Sequence, residues 1–248
     1  AAAEVLAVLR YLARQAGPVP AAAISRDVQL PRSTTYHLLD TLIQAGFVVH
    51  LPEVGRYGLG LSAHELASGY ERQAPLQRLA RSALTQLVDH TGHTAHLAVL
   101  HGRDVIYVIE ERAPGRPPLI TDVGVRLPAH LTASGRAMLA ALPSPQLRAL
   151  FPGSSAFVLR NELGPRSLSA LRRLLVEVRR QGYAHEDGEV TAGYASVAVA
   201  VVDHNGHPAA SVAVTFPARE LDPVARSQTA RQVARTAREL TRRLGGVG

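Results

Sequence analysis

The stretch Leu30-Pro31-Arg32-Ser33-Thr34-Thr35-Tyr36-His37-Leu38-Leu39-Asp40-Thr41-Leu42-Ile43-Gln44-Ala45-Gly46 decides how the first quarter of the chain folds. Its proline suits the opening of a helix, where the missing N–H is no loss, and Ala45-Gly46 supplies a natural stop. In between, Leu38, Leu39, Leu42 and Ile43 recur at helical spacing and face inward. The first two turns carry Arg32, Ser33, Thr34, Tyr36 and His37, which are donors, acceptors and rings able to reach phosphates and base edges. That is the chemistry of a helix reading double-stranded DNA. The plain alternative is a three-helix bundle whose polar face is only solvated.

Upstream, Val5, Leu9 and Leu12, with Leu6 and Ala13 beside them, predict a first helix over residues 4–15 that Gly17-Pro18 stops, and a short second helix follows over Ala21–Val28. Downstream, Phe47-Val48-Val49 and Arg56-Tyr57-Gly58-Leu59 bracket the turn Pro52-Glu53-Val54-Gly55, a β-hairpin wing with Arg56 beside its tip. Residues 1–60 therefore read as a winged helix-turn-helix domain, with Arg32 and Arg56 where a duplex would lie. Net charge does not make this case. The chain carries +7 overall, yet residues 1–72 hold six arginines against six acidic residues. DNA binding has to rest on local arrangement, with Glu4, Asp27 and Glu65 directed elsewhere.

The 248 residues are 46% hydrophobic, enough for real cores in one or two domains. The absence of cysteine excludes disulfides, zinc-thiolate sites and thiol nucleophiles, and fits a reducing compartment such as the cytoplasm. All 27 basic residues are arginine, which excludes a P-loop or Schiff-base lysine. The longest strongly apolar run, Tyr194 to Val202, is far short of the roughly 20 residues a membrane helix needs. Glu4 also stands where a signal peptide wants a basic flank, so neither a membrane partner nor a secretory signal is expected.

Residues 61–73 read as an amphipathic linker helix, either the seam of a homodimer or a helix packed on its own domain. From residue 74 to 248 a larger domain is expected. Pro75 opens a helix to Val88, and beyond Thr91-Gly92 the period changes to two, with strands over Thr94–Leu100 and Val105–Glu110 joined by His101-Gly102-Arg103-Asp104. Helices are expected over Ser134–Leu142, Pro145–Leu150 and Leu168–Gln181, and a last one from Pro223 to near Leu244. His185, Glu186, Asp187 and Glu189 read as a polar loop. With no βαβ glycine fingerprint, the whole is α+β with an antiparallel sheet.

A second hairpin, Ser196 to Thr215 around Asn205-Gly206, is the most informative part. With those two residues as the turn, Ser196 opposes Thr215, Ala198 opposes Ala213, and Ala200 opposes Ser211. One face is then small or hydroxylated, and the other carries Val197, Val199, Val201, Val212 and Val214. The valine face suits helix packing. The small face leaves room for a ligand, or else lies under a tightly docked helix.

In their order these segments resemble the IclR family of bacterial transcription regulators. The matching runs are Leu30 through Leu39, Gly55-Arg56-Tyr57-Gly58-Leu59-Gly60, His96-Leu97-Ala98-Val99-Leu100, Val123 through Pro128 running into Thr132-Ala133-Ser134-Gly135-Arg136-Ala137, Gly182-Tyr183-Ala184, and Gly193 through Val202. The resemblance implies a GAF-like effector domain, a homodimer or dimer of dimers, and control of a DNA operator by a small-molecule effector, often a carboxylate, with repression favoured over activation. It places the effector near His130, Ala133, Ser134, Glu186, Tyr194, Ser196, Ala213 and Thr215. Three positions depart from the family pattern: His37 stands for a usual Arg, Ser196 for a frequent Cys, and Ala200 for a frequent Pro.

An enzyme is the rival class. His96 and His101 need not converge, and His64-Glu65 begins a zinc-protease motif that Ser68 fails to complete. No cofactor or metal is expected. In the last helix Arg231, Arg235, Arg238 and Arg242 share one face, either touching DNA flanks or simply solvated.

Overall fold

A computed structural model describes residues 2–66 and 75–246. The chain divides into two compact units, 1–74 and 75–248. Residues 67–73 of the expected linker helix lie outside the described residues, while 61–66 are helical.

In the first unit, helices α1 (Ala2–Leu12), α2 (Ala21–Val28) and α3 (Arg32–Gln44) enclose a core of Val8, Leu12, Ile24, Leu38, Leu39 and Leu42. α1 ends short of the expected Gln15, in line with the turn that Gly17-Pro18 imposes. The wing pairs β2 (Val48–Leu51) with β3 (Arg56–Leu59), Leu51 opposite Arg56, around a tip where Gly55 takes a positive φ of 60°. A two-residue strand the sequence did not announce, β1 (Val19–Pro20), pairs with β3 and ties the wing back to the start of α2.

The second unit is a six-stranded, wholly antiparallel sheet in the order β6-β5-β4-β9-β8-β7, with helices on both faces. Its strands are β4 (Thr94–His101), β5 (Asp104–Glu111), β6 (Arg126–Pro128), β7 (Ala184–Asp187), β8 (Tyr194–Val202) and β9 (Pro208–Pro217). One face packs on α4 (Pro75–Thr91) and on the final helix, α8 (Pro223–Arg243). There Val197, Val201, Val212 and Val214 meet Leu84, Val233, Ala237 and Leu240. The other face lies under α5 (Ala133–Ala141), α6 (Ser144–Leu150) and α7 (Leu168–Gln181), with Ala198 and Ala213 in the same core as Ala133, Ala137, Leu171 and Leu175. The valine face packs on helices as its pattern indicated.

Three details correct the sequence reading. The hairpin register is as expected for Ser196↔Thr215, Ala198↔Ala213 and Ala200↔Ser211, but it shifts at Val202, which pairs with Pro208. The turn is wider than two residues, because the Asp203 carboxylate accepts from the N–H groups of Asn205 and His207 and closes a larger loop. The second correction is a bulge in the β4–β5 pair, where Leu97 faces Ile109 but Ala98 faces Tyr107. One extra residue on β5 turns the faces over, so Tyr107 and Ile109, two positions apart, lie in different cores. Strict alternation missed it. The third is that His185, Glu186 and Asp187 belong to edge strand β7, not to a loop. Glu186 pairs with Ser196, and burial alternates along the strand. A charged residue at the inward position hid that alternation from hydropathy.

Candidate nucleic-acid interface and ligand cavity

On α3 the inward side chains include Thr35, fully buried with its hydroxyl donating to the Pro31 carbonyl at 3.0 Å. The opposite face is open. Arg32, Ser33, Tyr36 and His37 are exposed and Thr34 is half-buried, and Tyr36 leaves half of its surface to solvent although it is aromatic. Asp40, one turn further along this face, is exposed as well, a residue the sequence reading passed over. Arg56 is exposed beside the tip of the wing, with Nη1 donating to the Pro18 carbonyl at 3.2 Å. His50 stacks on Tyr57 at 4.5 Å behind it. Asp27 is held by Arg26 at 2.7 Å and by the Tyr11 hydroxyl at 2.9 Å, which neutralises part of the acidic background.

In the second unit the small-residue sheet face is divided in two. Toward the Asp203–His207 end it is filled: Ala198, and Ala200 beyond it, pack with the core residues of α5 and α7. Toward the other end it is open. A cavity lies there, with Ser196, Ala213 and Thr215 as its floor and Thr132, Ala133 and Ser134 at its wall. Both readings of this face apply, each to its own half.

Local sequence builds that wall. Thr132 caps α5 by accepting from the Gly135 N–H at 2.9 Å, and this cap with the first two residues of the helix lines the cavity. Leu119, Ile120 and Thr121 cover it, Tyr107 enters from β5, and Val190, Thr191 and Tyr194 close the side. The cavity is tight, about 20 Å³. The covering segment is tied down where the Thr121 hydroxyl meets His96 Nε2 at 2.8 Å, and His96 is itself buried with Glu110 3.6 Å away.

The polar centre is a chain of three groups. Ser196 donates to Glu186 Oε1 at 2.7 Å and lies 2.9 Å from the Thr215 hydroxyl. Glu186 is 4% exposed, and its Oε2 has no hydrogen-bond partner. Burial pushes its carboxyl up to about 7; the Ser196 bond opposes the rise, the Glu189 charge adds to it, and Arg136 and the nearby Val190 N–H, which makes no hydrogen bond to Oε2, oppose it more weakly. Burial also raises the Tyr107 hydroxyl above its ordinary value, and the charge of Glu186 adds to that.

Of the eight positions expected around the ligand, the fold brings together Ala133, Ser134, Glu186, Tyr194, Ser196, Ala213 and Thr215. His130 is not among them. It sits in an aromatic cluster, its ring 5.8 Å from Phe151 and 5.3 Å from Phe157, with Nε2 at 2.8 Å from the Val158 carbonyl. Its sequence position beside Ala133 was misleading because the chain turns between the two. Tyr107 and Thr121 were missed. The bulge in the β4–β5 pair hides Tyr107 from strict alternation, and Thr121 lies in an irregular segment with no pattern to read. Arg136, whose charge acts on Glu186, gives its own donors to Glu189 and two carbonyls. His96 and His101 do not converge: His96 is buried, and His101 is exposed beside Arg126. Among the described residues no three His, Asp or Glu side chains form a metal-holding group, and no helix is long and apolar enough to cross a membrane.

An exposed reading helix with a wing, followed by a domain that encloses a small polar cavity, defines a DNA-binding regulator. Comparison with known proteins carries this further. Residues 1–52 match the IclR helix-turn-helix domain and residues 69–242 match the bacterial transcriptional regulator IclR C-terminal domain, so the chain belongs to the IclR family of DNA-binding transcription regulators. It is 31% identical to the HTH-type transcriptional regulator XynR of Escherichia coli (strain K12), over 97% of this chain and 95% of that protein. It is 28% identical to the HTH-type transcriptional repressor AllR of Klebsiella pneumoniae, over 97% and 88%. Among solved structures it resembles the Thermotoga maritima IclR protein, with 25% identity, a TM-score of 0.72 and 98% of each chain covered.

Proposed function

We propose that the chain is a repressor that binds a pseudo-palindromic operator as a homodimer and is switched by a small carboxylate-bearing metabolite held in the cavity of its second unit. The observation that carries the sensing half is the divided sheet face: a close-packed interior fills space wherever it can, and here one end holds a small covered cavity lined with hydroxyls. The first turn of α5 at the cavity wall favours an anion, because its N–H groups and the helix dipole point there. Glu186 at the other side offers an oxygen with no hydrogen-bond partner, so a ligand with a carboxylate and a hydroxyl or similar group fits both ends.

Repression is favoured by the relatives, since AllR of Klebsiella pneumoniae and IclR of Escherichia coli are both named repressors. Each first unit has a single reading helix, and a two-fold protein doubles its contacts on a two-fold site. Leu59, Leu61 and Leu66 are exposed around the start of the linker, apolar surface that a second copy would cover. A dimer of dimers extends the same reading, as does the GAF-like description of the second unit, which its antiparallel sheet with helices on both faces supports.

Footprinting on the intergenic DNA beside the gene tests the first half. Two protected half-sites about one helical turn apart, or a multiple of it, are expected. A single asymmetric half-site with one protomer per duplex by light scattering would remove the dimer. Release of that duplex by a small carboxylate tests the second half.

A further inference from the structure

Glu186 is a carboxyl group placed where a second negative charge has nothing to balance it. It lines the cavity, is almost wholly buried, and has one oxygen engaged by Ser196 and the other without a partner. No arginine or histidine side chain is among the residues that line the cavity. The charged and titratable groups around it are few. From α5 comes Arg136, whose donors go to the carbonyls of His130 and His185 and to Glu189. From the loop after β7 comes Glu189, which has the same sign. From β5 and β8 come the hydroxyls of Tyr107 and Tyr194. On β7 itself His185 and Asp187 alternate to the outside, where Asp187 pairs with Arg226 at 2.8 Å. His96 and Glu110 lie beneath the covering segment and are occupied with Thr121 and Arg112.

We propose that the cavity takes its ligand as an acid–carboxylate pair: a small anionic carboxylate enters together with one proton, and Glu186 holds that proton in the occupied site. This rests on the carboxylate reading given above and makes it specific. Two carboxylates in one closed, water-poor space cannot both stay ionised, because their repulsion is weakly screened there. The incoming anion therefore raises the proton affinity of Glu186. The proton comes from solvent where Glu186 is still ionised, no bond other than O–H is formed, and the occupied cavity carries one negative charge in place of two. The hydrogen bond from Ser196 to Oε1 decides which oxygen carries it. Oε2 becomes the O–H that donates to the ligand, so the orphaned oxygen gains a partner. Burial has already brought Glu186 close to neutrality in the empty cavity, so little further shift is needed near pH 7. The site would then select anionic acids and discriminate against their amides, which bring no charge to offset.

The full-length protein is titrated by calorimetry with glycolate, lactate, malate and benzoate in phosphate and in Tris, whose different ionisation heats count the protons exchanged. For an acid that binds, uptake of about half a proton at pH 7 and about 0.9 at pH 8 is expected, with affinity flat below pH 6 and falling about tenfold per unit above 7. Glu186→Gln should bind the same acid with no uptake and no such pH dependence. Circular dichroism checks that this variant folds; if it does not, the wild-type proton count decides. Binding with no proton exchange, or a Gln variant that keeps the wild-type uptake, overturns the proposal while the carboxylate reading stands. If none of the four acids binds at millimolar concentration between pH 5.5 and 8, the carboxylate reading itself falls and the proposal falls with it.

Discussion

Arg136 Nη2 donates to Glu189 Oε1 at 2.8 Å, and the arginine making this bond is 1% exposed in the heart of the second unit. Its Nε and Nη1 donate to the carbonyls of His130 and His185 at 2.9 and 2.7 Å. One side chain thus joins the turn before α5 to edge strand β7 and to the loop that follows it, the three pieces that frame the cavity. Replacing it by methionine keeps the bulk but leaves two carbonyls and a carboxylate without their donor. A loss of about 3 kcal/mol is expected, the low end for breaking a buried pair because Glu189 keeps some exposure. Urea unfolding measures it. Lysine should not restore it, since a point charge cannot serve three directions.

How much of this was visible beforehand varies with the kind of residue. The reading helix, the wing and the hairpin register followed from patterns with one dominant cause, namely apolar spacing or a pair of strands held to a fixed pleat. Ser196 facing Thr215 came out of arithmetic on a turn, even though the turn proved wider than assumed. What failed shares a different cause. Glu186 was placed in a loop because a carboxylate at an inward strand position breaks the hydropathy rule that reveals strands. Tyr107 was overlooked because a single bulged residue sends Ile109 to the other face. Arg136 stands out in the sequence only as part of a motif, because nothing in a sequence marks an arginine whose partners are backbone carbonyls and a distant carboxylate. Thr121, on an irregular segment, has its place fixed by His96 and by no local signal.

On the DNA side, Arg32→Ala and Arg56→Ala should each weaken operator binding and reduce the slope of log affinity against log salt by about one, as phosphate contacts release counterions. Both side chains are exposed on the unit that carries α3, so protein stability should change little. Arg56 also donates to Pro18, a solvent-exposed bond worth little by itself. Binding isotherms at several salt concentrations decide the matter. Unchanged slopes in both variants would remove this docking arrangement.

The open half of the sheet face predicts a separation of functions. Ala213→Leu adds three carbon atoms to a side chain that is 2% exposed and forms part of the cavity floor. Some overpacking is expected, about 1–3 kcal/mol. Ligand-induced release of DNA should vanish, while operator affinity without ligand stays near wild type because α3 and the wing are untouched. Ser196→Leu should behave the same way and also break the link to Glu186. A filled variant that still answers its ligand with unchanged affinity would place the binding site elsewhere in the unit.

The proton affinity of Glu186 makes a prediction about stability that needs no ligand. Its carboxyl rises from 4.5 to about 7 on folding, chiefly through burial. The folded state therefore holds a proton that the unfolded chain releases between these values, and the sign follows: stability falls as pH rises from about 4.5 to 7 and is flat at this site beyond that. The full difference is about 3 kcal/mol, from roughly 1.36 kcal/mol per pH unit. Glutamine has the same shape and no charge to bury, so Glu186→Gln should match wild type near pH 4.5 and exceed it by up to that amount at pH 8. Taking the difference between the two proteins cancels every other titrating group. Urea unfolding of both at pH 4.5, 6 and 8 reads it directly. A gap that stays constant with pH would mean the carboxyl titrates normally, and a gap that widens toward acid would reverse the assignment of burial as the dominant cause.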